Sequence, residues 1–210
     1  MGRLMGQTPN LKTWLASKFN EHYNLVVRKT LAIEKFTICI VFVIGFMLYS
    51  QLIGSPFLNF DDLNHIPLNP GFQKSDLLSL WMEPYFGMYV PVIYSIWYGI
   101  WKMLGPESWP FHAFNVSLHC MNTLLIYFLL QRFGTGRKLA FLCALAFEVH
   151  PLQVESVAWI SEGRGLAAAT FGLIATFLWL SRGLRQIKGH FLAGLKRVPR
   201  RAGPQIEYSA

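Results

Sequence analysis

Val149-His150-Pro151-Leu152-Gln153-Val154-Glu155-Ser156-Val157-Ala158-Trp159-Ile160 sets an imidazole, an amide and a carboxylate between apolar segments long enough to cross a bilayer. Polar groups at that depth are costly unless they face a cavity or one another. The stretch therefore predicts a polytopic membrane protein whose polar residues gather in a non-cytoplasmic cleft.

The rest of the chain fits that setting. Of 210 residues, 53% are hydrophobic and 14% charged, and the mean hydropathy is +0.33, which is too apolar for an ordinary soluble domain. Cys39, Cys120 and Cys143 lie in apolar runs, without the pair spacing of a thiolate metal site or a disulfide framework, and read as buried small side chains. No cleavable signal peptide is evident. The first strongly apolar run follows a long basic approach and reads as an uncleaved anchor.

Basic residues collect at the two ends. Arg3, Lys12, Lys18, Arg28, Lys29 and Lys35 precede the first span, and Arg182, Arg185, Lys188, Lys196, Arg197, Arg200 and Arg201 follow the last. The positive-inside rule puts both termini in the cytoplasm. Nucleic-acid binding is rejected, because the charges flank spans and no recognition module accompanies them. Anionic lipid is a sufficient partner.

Three regions are expected. Residues 1–35 form a cytoplasmic amphipathic segment, with Leu11, Trp14, Leu15 and Phe19 at helical intervals, suited to the membrane surface or to a docked protein. Residues 36–181 form the membrane domain, with an external loop at 54–110, and residues 182–210 form a basic cytoplasmic tail. Within the domain, 36–53, 111–131, 139–160 and 166–180 are the predicted crossings. A short surface helix is expected over 73–82. The aromatic run 89–104 stays outside, because a fifth crossing would expose the basic tail together with Arg132, Arg137 and Lys138. Four crossings leave Lys74, Lys102 and Arg164 outside with Asp61, Asp62, Asp76, Glu83, Glu107, Glu148, Glu155 and Glu162. The fold class is thus all-α, with about four transmembrane helices plus juxtamembrane helices.

Three groups of residues could carry chemistry. Asp61 and Asp62 lie just beyond the first span, where adjacent carboxylates can accept a proton or bind a divalent ion, or can form a solvated turn. His112, Asn115, His119 and Asn122 recur at steps of three, four and three and share one helix face, which favours interhelical hydrogen bonding over a metal site. Asn115-Val116-Ser117 matches a glycosylation acceptor, but a transferase cannot reach it within a span. His150, Gln153, Glu155, Glu162 and Arg164 surround the predicted helix break. There Arg164 could meet a phosphate, or could pair with Glu155 or Glu162 to stabilise the turn.

Between residues 57 and 180, Phe60-Asp61-Asp62 with Ile66 and Asn69-Pro70, Tyr89-Val90-Pro91-Val92, His112-Ala113-Phe114-Asn115, Leu118-His119-Cys120-Met121-Asn122 and His150-Pro151-Leu152-Gln153-Val154-Glu155 through Trp159-Ile160 occur in order. Together they resemble the N-terminal membrane part of the GT-C superfamily of polyprenyl-phosphate-sugar glycosyltransferases. The protein O-mannosyltransferase-like members that carry tetratricopeptide repeats are the nearest in pattern. The resemblance implies inverting sugar transfer from a lipid phosphate to a hydroxyl on the non-cytoplasmic side. It assigns activation to Asp61, support of substrate or ion to Asp62 and Glu155, and phosphate contact to Arg164.

The chain departs from that family where an arginine usually precedes the proline of the Tyr-x-Pro segment, here Val90, and where an acidic residue usually follows Arg164, here Gly165. The family's membrane domain also continues through several more spans and often into tetratricopeptide repeats, whereas this sequence ends at residue 210. The expected function is therefore a non-catalytic, GT-C-derived accessory or structural subunit of a larger membrane complex, with Trp97 and Trp101 as its docking surface. The alternative is a glycosyltransferase or part of one. Expected partners are membrane lipids and membrane proteins, with polyprenyl-phosphate sugar and a divalent cation if the chain is active. The expected location is the bacterial inner membrane.

Overall fold

The computed structural model describes residues 11–59 and 61–196, so Phe60, the first ten residues and the tail beyond Lys196 lie outside the described residues. The protein is an all-α membrane protein. Among the described residues three helices, spanning Trp14–Ile53, Trp109–Arg132 and Ile160–Gly183, are long and apolar enough to cross a membrane.

Helix α1 runs unbroken from Leu11 to Ile53. No proline or glycine interrupts it before Gly45, and it stops where Gly54-Ser55-Pro56 removes a backbone donor. The expected surface-lying segment is therefore continuous with the first span. Thr37, Val41, Gly45 and Tyr49, four residues apart, are the buried stripe of α1. Val43, Met47 and Leu48 on its other side are exposed and suit lipid contact.

The segment that follows is folded, not a trailing loop. It contains α2 (Asp62–His65), α3 (Pro70–Gln73), α4 (Ser79–Met82) and α5 (Pro91–Leu104). The single surface helix expected over 73–82 is instead divided, because Asp76 accepts hydrogen bonds from the amides of Leu78 and Ser79 and starts a new turn there. Asn69 caps α3 by accepting from the Gly71 amide at 2.9 Å, with Pro70 in the first helical turn. Ile66, Phe72, Leu80, Ile93, Tyr94 and Trp97 from this region pack with Phe111, Leu118, Ile160 and Leu166 in one buried cluster. Trp97 is 1% exposed. It belongs to the core, which removes it from the expected docking surface; Trp101 is partly buried against the same cluster.

Helix α6 (Trp109–Arg132) is the central post, packed against α1, α7 and α9. Helix α7 (Arg137–Glu148) starts after Gly134, whose φ of +89° turns the chain. Its buried stripe Ala140, Ala144 and Glu148 faces the bundle, and its small residues permit close approach. At 12 residues it is about 18 Å long, short of a hydrocarbon core of about 30 Å. The expected crossing over 139–160 is thus α7, a turn at Val149-His150-Pro151, and the separate helix α8 (Gln153–Ala158). Pro151 cannot continue α7 and restricts His150 before it. A 3₁₀ turn at Ile160–Glu162 then leads into α9 (Gly163–Lys196).

Two further expectations are corrected. Cys39 and Cys143 are exposed, and Cys120 alone of the three cysteines is buried. Glu148 is not an acid of the outer cleft but a fully buried side chain inside the bundle.

Candidate functional site

The Asp61-Asp62 pair separates into two unlike residues. Asp62 opens α2 and is 1% exposed. Its Oδ1 accepts from the Ser161 amide at 2.8 Å and its Oδ2 from the Leu58 amide at 3.2 Å. This carboxylate ties the 54–62 segment to the 3₁₀ turn before α9. Asp61 is half-buried at the N-cap of α2, and its side chain makes no capping bond. Its carboxylate is therefore not committed to the helix start.

Both oxygens of Asp62 already face N–H hydrogens, and Glu155 is exposed on α8. No group of three His, Cys, Asp or Glu among the described residues is arranged for a metal ion.

Arg164 lies in the first turn of α9. Its Nη2 donates to Glu162 Oε1 at 3.0 Å, and its Nη1 lies 3.0 Å from Met88 Sδ. Of the two partners expected for it, Glu162 is the one it meets. The pair divides two spaces. On one side Arg164 edges a largely apolar groove of about 460 Å³, with residues 89 to 93, Ala167, Ala168 and Phe171. On the other, Glu162 lines a cavity of about 290 Å³ with Asn122, Gln153, Ser156 and Gly165. Gln153, Glu162 and Arg164 are thus brought together. His150 and Glu155 are not. His150 is exposed, and its Nδ1 accepts from the Leu152 amide at 3.2 Å, closing the turn after α7.

The four-residue stripe of α6 is buried throughout. Asn115 Nδ2 donates to the Trp159 carbonyl at 2.7 Å, and Asn122 Nδ2 to the Leu166 carbonyl at 3.1 Å while its Oδ1 accepts from Thr170. His119 Nε2 meets the Glu148 carbonyl at 3.1 Å. His112 is 2% exposed at the start of the helix. These side chains hold the interrupted backbone of residues 148 to 166 against α6, which fixes where Glu162 and Arg164 emerge. Asn115→Ala should therefore lower stability by about 1–3 kcal/mol, through the unpaired Trp159 carbonyl. An unchanged unfolding midpoint in detergent would remove that role.

Two elements escaped sequence reasoning. His65 ends α2 and lies 2.7 Å from the Tyr94 hydroxyl through Nδ1. Burial is the main cause holding its pKa below the usual imidazole range, and Arg164 adds to it, against the opposing pull of Asp61 and Asp62. Burial likewise pushes Tyr94 up to about 12. The available signal was the four-residue step from Asp61 to His65. The second element is Glu148, which is bonded to Thr123 Oγ1 and lies beside Cys120 and His119. Its signal was the spacing Ala140, Ala144, Glu148 along α7.

No protein-family model matches the sequence, and no solved structure matches it. Curated proteins do. The chain is 38% identical over 85 residues to human protein O-mannosyl-transferase TMTC1, a match that covers 40% of this chain and 10% of that protein. The mouse counterpart is 39% identical over 85 residues, covering 40% and 9%. A Caenorhabditis elegans protein O-mannosyl-transferase is 28% identical over 144 residues, covering 62% and 21%. The chain thus spans about a tenth of the length of the mammalian relatives, and its relationship to these proteins is partial.

Proposed function

We propose that this chain is the membrane-embedded, lipid-phosphate-recognising part of a glycosyltransferase of the O-mannosyl-transferase kind, built on a GT-C-like scaffold. The observation that carries the proposal is a single guanidinium, Arg164, at the edge of an apolar groove, close enough to His65 to act on its charge alongside Asp61. An isoprenoid tail fits the groove, and its phosphate fits the cation. The names of the relatives support transfer more than the non-catalytic subunit favoured by the sequence alone.

The acceptor hydroxyl oxygen attacks the anomeric carbon of the lipid-linked sugar, and Asp61 takes the hydroxyl proton. The bond between the anomeric carbon and the phosphate oxygen breaks, and the departing lipid phosphate carries the electron pair toward Arg164. Asp62 supports the site as a positioning residue, through the Ser161 amide.

The test is transfer of labelled mannose from polyprenyl-phosphate mannose to a serine- and threonine-containing peptide by the chain in proteoliposomes. Asp61→Asn is expected to lower the rate by a factor of about 10²–10⁴ with membrane insertion intact. Normal transfer by that variant would rule out Asp61 as the base. A wild-type chain that binds the donor but transfers nothing would favour the accessory-subunit reading.

A further inference from the structure

His65 is 1% exposed, and its Nε2 is buried without a hydrogen-bond partner among the described residues. Its Nδ1 is engaged by the Tyr94 hydroxyl. In the tautomer whose Nδ1 is the acceptor, the Tyr94 hydroxyl donates to it. The neutral imidazole then carries its own hydrogen on Nε2. The result is a buried N–H donor with no acceptor, which native interiors rarely leave.

The residues packed against His65 and Arg164 come from one short segment. The Phe86 ring stands edge-on to His65 with centroids 5.3 Å apart. Two residues on, Met88 Sδ is the partner of Arg164 Nη1, and a thioether is a weak acceptor for a guanidinium. Both residues belong to one tight turn, closed by reciprocal bonds between Tyr85 and Met88 of 2.9 and 3.0 Å. At its centre Phe86 (φ +48°) and Gly87 (φ +74°) are left-handed, a conformation that a phenylalanine adopts at a cost. A strained turn therefore touches both His65 and Arg164, beside the apolar groove.

We propose that His65 Nε2 and Arg164 Nη1 together bind a phosphoryl group beneath the turn of residues 85 to 88, which moves aside to admit it. The site rests on the lipid-phosphate reading above and adds to it a second donor and a cover. Phosphoryl oxygens supply the acceptors that both nitrogens lack. The group could arrive as a lipid headgroup, its chain in the groove, or as a free anion.

The test uses the full chain in dodecyl maltoside, with dodecyl phosphate and inorganic phosphate as separate probes. The readouts are the ring-nitrogen resonances of His65 and the affinity for each probe. Dodecyl phosphate is expected to shift the Nε2 resonance. His65→Phe and Arg164→Gln should each weaken its binding by about ten-fold or more, and His65→Gln, which keeps an N–H donor, should retain part of the affinity. A shift with dodecyl phosphate alone assigns a lipid headgroup, and an equal shift with inorganic phosphate assigns a free anion; either supports the site. An Nε2 resonance unmoved by both probes would overturn it, as would undiminished binding by His65→Phe. Neither readout depends on sugar transfer. Binding without transfer would sink the glycosyltransferase reading and leave the site standing, whereas full transfer and affinity in His65→Phe would do the reverse.

Discussion

Asp62→Ala is expected to destabilise the protein by about 2–6 kcal/mol, since each of two stranded amides costs about 1–3 kcal/mol. The substitution strands the amides of Ser161 and Leu58, which converge on one carboxylate from points 99 and four residues away in the chain. Asn in place of Asp recovers only part of the loss, because its amide nitrogen would face one of two N–H donors. Ser161 lies in the turn that precedes α9, so the damage extends to Glu162 and Arg164, and lipid-phosphate binding should fall with stability. The adjacent Asp61→Asn should leave the unfolding midpoint unchanged. Thermal unfolding of both variants in detergent decides the matter, and equal midpoints for the two would contradict the division of roles between these neighbours.

Gly45→Val should be about as severe. A Cβ at Gly45 would overlap Glu148 Oε1 and Cys120 Sγ. Neither neighbour can retreat easily, since Glu148 is bonded to Thr123 and Cys120 is fully buried on α6. Overpacking of this kind costs about 1–3 kcal/mol, and displacing a buried carboxylate from its partners adds a further loss. Gly45→Ala meets the same two overlaps without the further methyl groups of valine. Combining it with Cys120→Ala should recover stability, with a coupling above about 0.5 kcal/mol in a double-mutant cycle. Strictly additive effects would show that α1 does not meet α6 at this glycine.

The bundle was legible in the sequence because its signals are local: long apolar runs, punctuation at Gly54-Ser55-Pro56 and Val149-His150-Pro151, and the three-four-three stripe of α6. The site was legible in part. Arg164 and Glu162 lie two residues apart and could be read as a pair, and Gln153 joins them across one cavity. The different fates of Asp61 and Asp62 could not be read, because they depend on an amide 99 residues away. His65 remained hidden for the same reason, since its partner Tyr94 lies 29 residues on, in a helix whose burial its aromatic composition does not announce. Trp97 was misplaced because an aromatic run beside a membrane looks alike whether it faces lipid or a packed core.

The unbroken α1 gives the molecule a mechanical property. The stripe of Thr37, Val41, Gly45 and Tyr49 seats the helix toward one end of a 43-residue rod. The arm from Thr37 back to Leu11 measures about 39 Å at the α-helical rise, so a rocking of about 10° at the seat sweeps the remote tip through about 7 Å. A small adjustment of the seat would reach the opposite extremity of α1 as a displacement of more than half a helix diameter, as a lever magnifies motion at its fulcrum.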